Sequence, residues 1–169
     1  MPNWCSNSLT LKHEDKNKLD ELEKQLSESD VFFQHLHPRP KDQDANWYEW
    51  NIENWGTKWD VNVNEGYLQR IDDNTLSISF DTAWGPPTKF YDFLFEQGWD
   101  VVARYYEPGV GFIGEYDNTV DDSWDLDFDN EETIDAVPQE LAEHFALYDE
   151  FANYQELSEE REEDENNNS

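Results

Sequence analysis

The chain has 169 residues and a formal net charge of −30 at pH 7, which comes from 41 acidic and 11 basic residues. Because nucleic acids and anionic membranes are bound mainly through Lys and Arg, this charge argues against direct binding to either. The mean hydropathy of −1.02 is that of a very polar chain, but 8 Trp, 8 Tyr and 10 Phe distinguish it from acidic disordered sequences, which contain few aromatic residues. We therefore expect most of the chain to fold.

The N-terminal part of the chain predicts a strand followed by an amphipathic helix. Leu9 and Leu11 alternate with polar residues, as in a strand with one buried face. Leu19, Leu22 and Leu26 recur at spacings of three and four, which places them on one face of a helix. The strand is predicted over residues 4–13 and the helix over residues 14–29.

A tryptophan-rich corner is the densest aromatic stretch of the sequence. Four Trp and one Tyr lie within residues 47–59, and the turn residues Gly56-Thr57-Lys58 separate the last two Trp. An aromatic side chain buries about 150–250 Å², so this corner is expected to be a main packing centre. The alternative is that tryptophan edges remain exposed there and form a binding surface.

The middle of the chain predicts a hairpin, a helix and two further strands. Apolar residues alternate in the hairpin, Gly85-Pro86-Pro87 precedes the helix, and Gly98 follows it. The predicted segments are strands at residues 59–71 and 75–81, a helix at 88–97, and strands at 99–106 and 110–116. The order strand-helix-strand-strand-helix-strand is typical of the ferredoxin-like split βαβ fold, an α+β architecture with an antiparallel sheet and both helices on one face.

Three sequence blocks resemble one protein family. They are Met1–Asn7 (MPNWCSN), Asn54–Asp60 (NWGTKWD) and Phe80–Pro87 (FDTAWGPP). In this order they resemble the YubB-type family of small phage- and plasmid-encoded proteins with a ferredoxin-like domain, and the likeness covers about residues 1–117. The resemblance implies a ferredoxin-like core domain over residues 1–117 and an origin on a mobile element, but no established activity and no catalytic residue.

Negative charge is concentrated after the core domain. Residues 1–104 contain 19 acidic and 10 basic residues, whereas residues 105–169 contain 22 acidic residues and a single base, Arg161. We predict a strand at residues 123–129 and a helix at 138–157, within a strand-helix extension over 118–157 that packs on or next to the core, and a disordered acidic tail at 158–169.

The predicted acidic strand would display a row of carboxylates. Asp125, Asp127 and Asp129 would share one face of it at intervals of about 6.6 Å. Duplex DNA carries about one negative charge per 1.7 Å of axis, so such a surface could occupy the basic groove of a DNA-binding protein. The residues predicted to bind the partner are Asp121, Asp122, Asp125, Asp127, Asp129, Glu131, Glu132, Glu140 and Glu143.

The sequence therefore predicts a phage- or plasmid-encoded inhibitor of the anti-defence type, which binds a host nucleic-acid-processing or defence protein through an acidic surface that imitates nucleic acid. The alternative is a protein-interaction or adaptor module that uses the tryptophan-rich corner, with the acidity serving only solubility. Salt dependence separates the two, since an aromatic interface responds little to ionic strength.

No motif predicts catalysis, a metal site or a cofactor, so we do not expect an enzyme. Asp125-x-Asp127-x-Asp129 begins like a calcium loop, but Asn130 and Ala136 stand where the EF-hand pattern needs Gly and Glu. Residues 109–114 spell GxGxxG at a turn that no helix follows. His35-x-His37 has no further His or Cys nearby to complete a metal site.

The cellular compartment follows from three observations. Cys5 is the only cysteine, which excludes an internal disulfide and gives no catalytic signature. The first residues lack the basic and apolar regions of a signal peptide, and no apolar run approaches the roughly 20 residues that cross a bilayer. We therefore expect a protein of the host cell cytoplasm.

Overall fold

The computed structural model describes residues 1–63 and 67–169 and is built around a six-stranded sheet in which all neighbouring strands are antiparallel. The strands are β1 (Trp4–Lys12), β2 (Tyr67–Asp72), β3 (Thr75–Ala83), β4 (Asp100–Glu107), β5 (Phe112–Asp117) and β6 (Val120–Asp125). Their order across the sheet is β2-β3-β1-β4-β5-β6. A mixed helix–sheet fold of this kind is consistent with the predicted α+β class.

The described part of the chain also contains seven α-helices and one 3-10 helix. They are α1 (Lys16–Glu28), α2 (Phe33–Leu36), a 3-10 helix (Lys41–Asn46), α3 (Trp47–Asn54), α4 (Thr88–Glu96), α5 (Glu131–Asp135), α6 (Gln139–His144) and α7 (Leu147–Asn167). The carboxylate of Asp15 caps α1 by accepting a hydrogen bond from the backbone N–H of Asn17 at 2.9 Å. After α4, Gly98 adopts a left-handed conformation with φ of 96°, which few other residues tolerate.

One face of the sheet, here called the inner face, is covered by α1 and α4. Leu9 and Leu11 of β1 point to this face and share a buried cluster with the leucines of α1 and with Phe90 and Leu94 of α4. The predicted helical face of Leu19, Leu22 and Leu26 is therefore confirmed. Burial of each such side chain contributes about 1.5–3 kcal/mol, so this cluster is the main stabilising core.

The opposite, outer face carries a second core at the β4-β5-β6 end of the sheet. Tyr106 and Ile113 are paired in register and point to the outer face, where they meet buried side chains of the three C-terminal helices. These buried residues are Ile134 of α5, Val137 between α5 and α6, Leu141 and Ala142 of α6, and Leu147 and Phe151 of α7. The C-terminal region is thus joined to the sheet by apolar packing, despite its charge.

The predicted strand at residues 59–71 is too long at its N-terminal end. β2 begins at Tyr67, and residues 59–63 form an irregular segment. The physical reason is Asp60, whose carboxylate accepts hydrogen bonds from the backbone N–H groups of Phe32, Phe33 and Gln34 at 2.7–3.0 Å and so draws the segment out of the sheet. Residues 64–66 of the predicted strand lie outside the described residues.

The acidic strand predicted at residues 123–129 is also displaced. β6 runs over Val120–Asp125, and the chain then leaves the sheet at a turn. In that turn Asp127 accepts a hydrogen bond from the backbone N–H of Asp129 at 2.9 Å, and Thr133 bonds back to the main chain of Asp127. Side-chain bonds of this kind compete with a strand ladder, which explains the early end of β6.

The C-terminal helices differ from the prediction in two ways. The single helix expected at residues 138–157 is divided into α6 and α7 at Ala146, whose φ of 52° interrupts the helical geometry. The tail at residues 158–169, where disorder is predicted, is helical as far as Asn167. No helix within the described residues has both the length and the apolar character needed to cross a bilayer.

Candidate functional site

Three tryptophans from three distant segments meet on the surface. The Trp59 ring centroid lies 6.3 Å from that of Trp4 and 6.5 Å from that of Trp84, and Trp59 and Trp84 are stacked with an interplanar angle of 22°. Trp4, Trp59 and Trp84 are 47%, 39% and 46% exposed. Each belongs to one of the three sequence blocks that carry the family resemblance. We call these residues, together with Lys58, the tryptophan cluster.

A lysine already occupies part of this aromatic surface. The Lys58 ammonium lies 4.5 Å from the ring centroid of Trp59, 5.4 Å from that of Trp84 and 5.8 Å from that of Tyr48. A cation within about 6 Å of an aromatic face is attracted to the ring, by about 0.5–1 kcal/mol at exposed sites. The tryptophan cluster is therefore a surface that accepts cations.

The turn before Trp59 is fixed by close packing against α4. Gly56 has φ of 81°, and a Cβ at this position would lie 3.1 Å from the backbone nitrogen of Lys89. The Thr57 hydroxyl donates to the carbonyl of Ala83 at 3.2 Å. Trp55, which is 2% exposed, donates its indole N–H to a backbone carbonyl at 3.0 Å. This part of the corner is a packing centre, as predicted.

The loop that carries Trp84 is held by a buried polar network. Asn7 donates from Nδ2 to the hydroxyl of Thr82 at 2.8 Å, and that hydroxyl donates to the carbonyl of Gly85 at 2.6 Å. Trp84 has φ of 64°, and its backbone N–H donates to the carbonyl of Asn3 at 2.7 Å. A non-glycine residue with this left-handed backbone conformation is strained. Such strain is concentrated at functional sites, where a side chain must be held in one position.

A groove of about 680 Å³ opens beside the tryptophan cluster, on the outer face of β1 and β3. Ser6, Ser79 and Asp81 are among its lining residues, and these strand positions face the outer side of the sheet. The remaining lining residues are Trp4, Asn7, Asp60, Val61, Asn62, Tyr67, Phe80 and Phe145. Trp4 belongs to both the groove and the tryptophan cluster, so the two features are continuous.

The nine acidic residues predicted to bind a partner do not form one straight row. Asp121 and Asp125 alternate with Asp122 along β6, so the pleat places Asp122 on the opposite face. The remaining six follow β6 through the turn and the first two C-terminal helices: Asp127 and Asp129 in the turn, Glu131 and Glu132 in the first turn of α5, and Glu140 and Glu143 in α6. All nine are exposed. The structure therefore places them on the edge strand β6 and on the turn and helices that follow it, with Asp121 and Asp125 on one face of the sheet and Asp122 on the other.

Tyrosines, rather than cations, provide side-chain hydrogen bonds to three acids of this region. Tyr105 donates to Asp121 at 2.5 Å, Tyr154 donates to Asp129 at 2.8 Å, and Tyr106 donates to Glu150. Burial, with a contribution from these carboxylates, raises the pKa of Tyr105 and Tyr106 above the ordinary value for tyrosine. Because a phenol is neutral, these bonds hold the carboxylates in place without removing their charge.

The acidic region is almost without neutralising partners. In the described part of the chain, the one ion pair that involves residues 118–169 joins Arg104 to Glu140, with a nitrogen–oxygen distance of 3.7 Å. The acidic residues of this region are all exposed. We call residues 118–169 with their acidic side chains the acidic surface.

Neutralising the negative charge of the C-terminal half of α7 should stabilise that part of the helix. Residues 159–167 are all exposed, and the acids of this segment lie at the negative end of the helix dipole, which disfavours the helix. Amide hydrogen exchange of residues 159–167 is therefore expected to slow when a polylysine probe is added. The variant Glu162→Lys, Glu163→Lys, Glu165→Lys should show slow exchange without the probe. If residues 159–167 exchange equally fast in the wild type and in this variant without the probe, the account is wrong.

Other reactive groups in the described residues offer little chemistry. Cys5 is fully buried, and burial raises the pKa of its thiol to about 12, which suppresses the reactive thiolate. Burial lowers the pKa of His37, which stacks on Phe93 at 3.9 Å between ring centroids. Within the described ranges no group of three or more His, Cys, Asp or Glu side chains could hold a metal ion.

Comparison of this chain with models of protein families, with curated proteins and with solved structures finds no match. Function must therefore be inferred from the two surface features described above. The acidic surface was predicted from composition. The tryptophan cluster was predicted only in part, because the sequence indicates the corner at residues 47–59 but not its contact with Trp4 and Trp84.

Proposed function

We propose that this chain is an inhibitor of the anti-defence type, encoded by a phage or plasmid and acting in the host cell cytoplasm. It binds a host nucleic-acid-processing or defence protein through the acidic surface, which imitates the charge of nucleic acid. The observation that carries the proposal is the charge spacing of α7.

α7 has a linear charge density close to that of a nucleic acid strand. It contains nine acidic residues and one base in 21 residues. At a rise of 1.5 Å per residue the helix is about 31 Å long, which gives about one carboxylate per 3.5 Å of axis. A single strand of duplex DNA carries one phosphate per ~3.4 Å. With the exposed acids of β6, α5 and α6, this helix supports binding to a partner with a basic groove.

The proposal extends to the fold and family. Strands β1 to β4 lie in the order β2-β3-β1-β4, with α1 and α4 on one face, and this arrangement supports a ferredoxin-like split βαβ core. β5, β6 and the helices after them are additions to that core. We also propose membership of the YubB-type family, which the convergence of its three sequence blocks at the tryptophan cluster supports.

The test begins with affinity capture from host lysate at low and at high salt, followed by binding measurements on the purified partner. The chain is expected to displace duplex DNA from that partner, with an affinity that falls steeply as salt rises. The variant Glu159→Lys, Glu162→Lys, Glu163→Lys changes exposed α7 acids that form no side-chain hydrogen bond or ion pair with other described residues, and it should weaken binding by about tenfold or more.

A matched control variant distinguishes the effect of where the charge lies from the effect of the total net charge. The variant Glu28→Lys, Glu53→Lys, Glu96→Lys changes net charge by the same amount near the C-terminal ends of α1, α3 and α4, where a cation favours the helix. It should bind the partner with nearly wild-type affinity. If both variants lose the same amount of affinity for the partner, mimicry is excluded. It is also excluded if the affinity of the wild type for the partner does not change with salt concentration.

A second candidate function is protein interaction through the tryptophan cluster, with acidity serving solubility. The observation that favours it is the exposure of three tryptophans in mutual ring contact, one of which, Trp84, lies on a strained and well-supported loop. In this case replacing Trp59 by alanine would abolish partner binding, whereas the α7 variant would bind normally at every salt concentration.

A further inference from the structure

We infer that the groove beside the tryptophan cluster binds an arginine side chain presented by a partner protein. The inference rests on the proposed function in one respect, since it takes the partner to be a basic protein. It adds a specific contact to a surface otherwise recognised by charge alone.

Among the described residues that line the groove, Asp81 is the carboxylate available to bind a cation. Asp60 and Asp81 both line it. The oxygens of Asp60 already accept hydrogen bonds from four backbone N–H groups, those of Val61 and three residues at the start of α2. Asp81 is exposed and makes no side-chain hydrogen bond with any other described residue. The lining residues that the structure describes include no Lys or Arg, so none of them neutralises the charge of Asp81.

Aromatic rings and hydroxyl groups complete a site suited to a planar cation. Trp4, Tyr67 and Phe145 line the groove, and aromatic rings are the side chains on which a guanidinium stacks. Ser6 pairs with Asp81 across β1 and β3, and Ser79 lies two residues from Asp81 on the same strand face. The two serine hydroxyls can accept N–H groups of the guanidinium fork while Asp81 binds its charge.

The same surface already shows affinity for a cation within the chain. Lys58 lies over Trp59 and Trp84, and Trp4 extends that aromatic stack to the groove. An anionic ligand is disfavoured by Asp81 and by the net charge of −30, and an apolar ligand by the serines and the carboxylate. Charge complementarity and the aromatic lining thus favour arginine over nucleic acid or an apolar peptide.

The test uses a dye-labelled tetra-arginine peptide as the probe, with tetra-citrulline as the neutral analogue of the same shape. The full chain is expected to bind tetra-arginine and not tetra-citrulline. Asp81→Asn and Trp4→Leu should each weaken tetra-arginine binding by about tenfold, whereas Trp4→Phe, which keeps an aromatic face, should stay within about threefold of the wild type.

Glu28→Gln, on a helix that covers the opposite face of the sheet, is the control for loss of one negative charge and should bind the probe as the wild type does. If Asp81→Asn and Trp4→Leu match this control, the inference is wrong. Tetralysine binding as tightly as tetra-arginine would overturn the assignment to arginine. The Asp81 carboxylate is exposed and accepts no hydrogen bond from the described residues, so Asp81→Asn keeps the test valid even if Trp4→Leu fails to fold.

The inference and the proposed function can fail separately. If the α7 charge reversal removes partner binding while Asp81→Asn and Trp4→Leu change neither probe nor partner affinity, the groove assignment fails and mimicry stands. If the groove variants weaken binding of the probe and the partner and the α7 charge reversal does not, the groove is an arginine site and the acidic surface does not act as a mimic of nucleic acid.

Discussion

Replacement of Asp60 by alanine is expected to lower the free energy of unfolding by about 3–5 kcal/mol, because each hydrogen bond from an N–H to a charged group contributes roughly 1.5–3 kcal/mol. The carboxylate accepts from the backbone N–H groups of Phe32 at 3.0 Å, Phe33 at 2.7 Å, Gln34 at 2.8 Å and Val61 at 2.8 Å. In the variant the first three of these donors would lose their acceptor beside the buried core. Such a loss is a large share of the 5–15 kcal/mol typical of a domain.

The measurement is chemical denaturation followed by far-UV circular dichroism and tryptophan fluorescence. Asp81→Ala is the matched control, because it removes an exposed carboxylate that makes no hydrogen bond with the described residues. Asp60→Asn keeps one acceptor oxygen and should fall between the wild type and Asp60→Ala. If the denaturation midpoint of Asp60→Ala equals that of Asp81→Ala, the hydrogen bonds of the Asp60 carboxylate do not stabilise the fold.

The second large effect is loss of stability at alkaline pH. Burial raises the pKa of Tyr91, Tyr105, Tyr106 and Tyr116 above the ordinary value near 10. Above about pH 10 these phenols ionise in the unfolded chain but stay protonated in the folded protein, so unfolding releases protons and the free energy of unfolding falls as pH rises. Each phenol contributes about 1.4 kcal/mol per pH unit, so four give an upper limit of about 5 kcal/mol per pH unit.

Stability should accordingly be complete below about pH 10 and fall steeply above it. Denaturant titrations across this range give the slope, and tyrosinate absorbance reports the ionisation itself. Tyr105→Phe, Tyr106→Phe removes two of the four phenols and should reduce the slope by about half. Tyr48→Phe, Tyr148→Phe alters two exposed tyrosines and should leave it unchanged. A free energy of unfolding that is flat through this pH range would refute the assignment.

Local periodicity was sufficient to predict much of the fold. The leucines of α1 recur at helical spacing and are all buried, and the segment at residues 75–81 alternates as β3 does. In both elements one face is buried, and a buried face appears in the local sequence as a regular spacing of apolar residues. The same reasoning failed at residues 123–129, because Trp124, Leu126 and Phe128 pack on the C-terminal core whether or not the chain stays in the sheet.

The candidate site was less predictable, since it depends on contacts between distant segments. Trp4 and Ala83 are paired across β1 and β3, which brings Trp84 to the start of the chain, and no spacing within the sequence encodes this register. The strain at Trp84 and the capping role of Asp60 are equally nonlocal. A usable signal was the presence of Trp beside Gly, Asn or Lys in each of the three sequence blocks, once in the first and third and twice in the second.

The position of β6 also has a consequence for self-association. β6 is an edge strand, and an exposed edge offers unpaired backbone groups to any other strand. In an antiparallel pairing of β6 with the same strand of a second copy, the carboxylates of Asp121, Asp122 and Asp125 would face a strand that carries the same charges. This repulsion disfavours extension of the sheet through β6, so the acidic side chains of this strand also protect the chain against association through that edge.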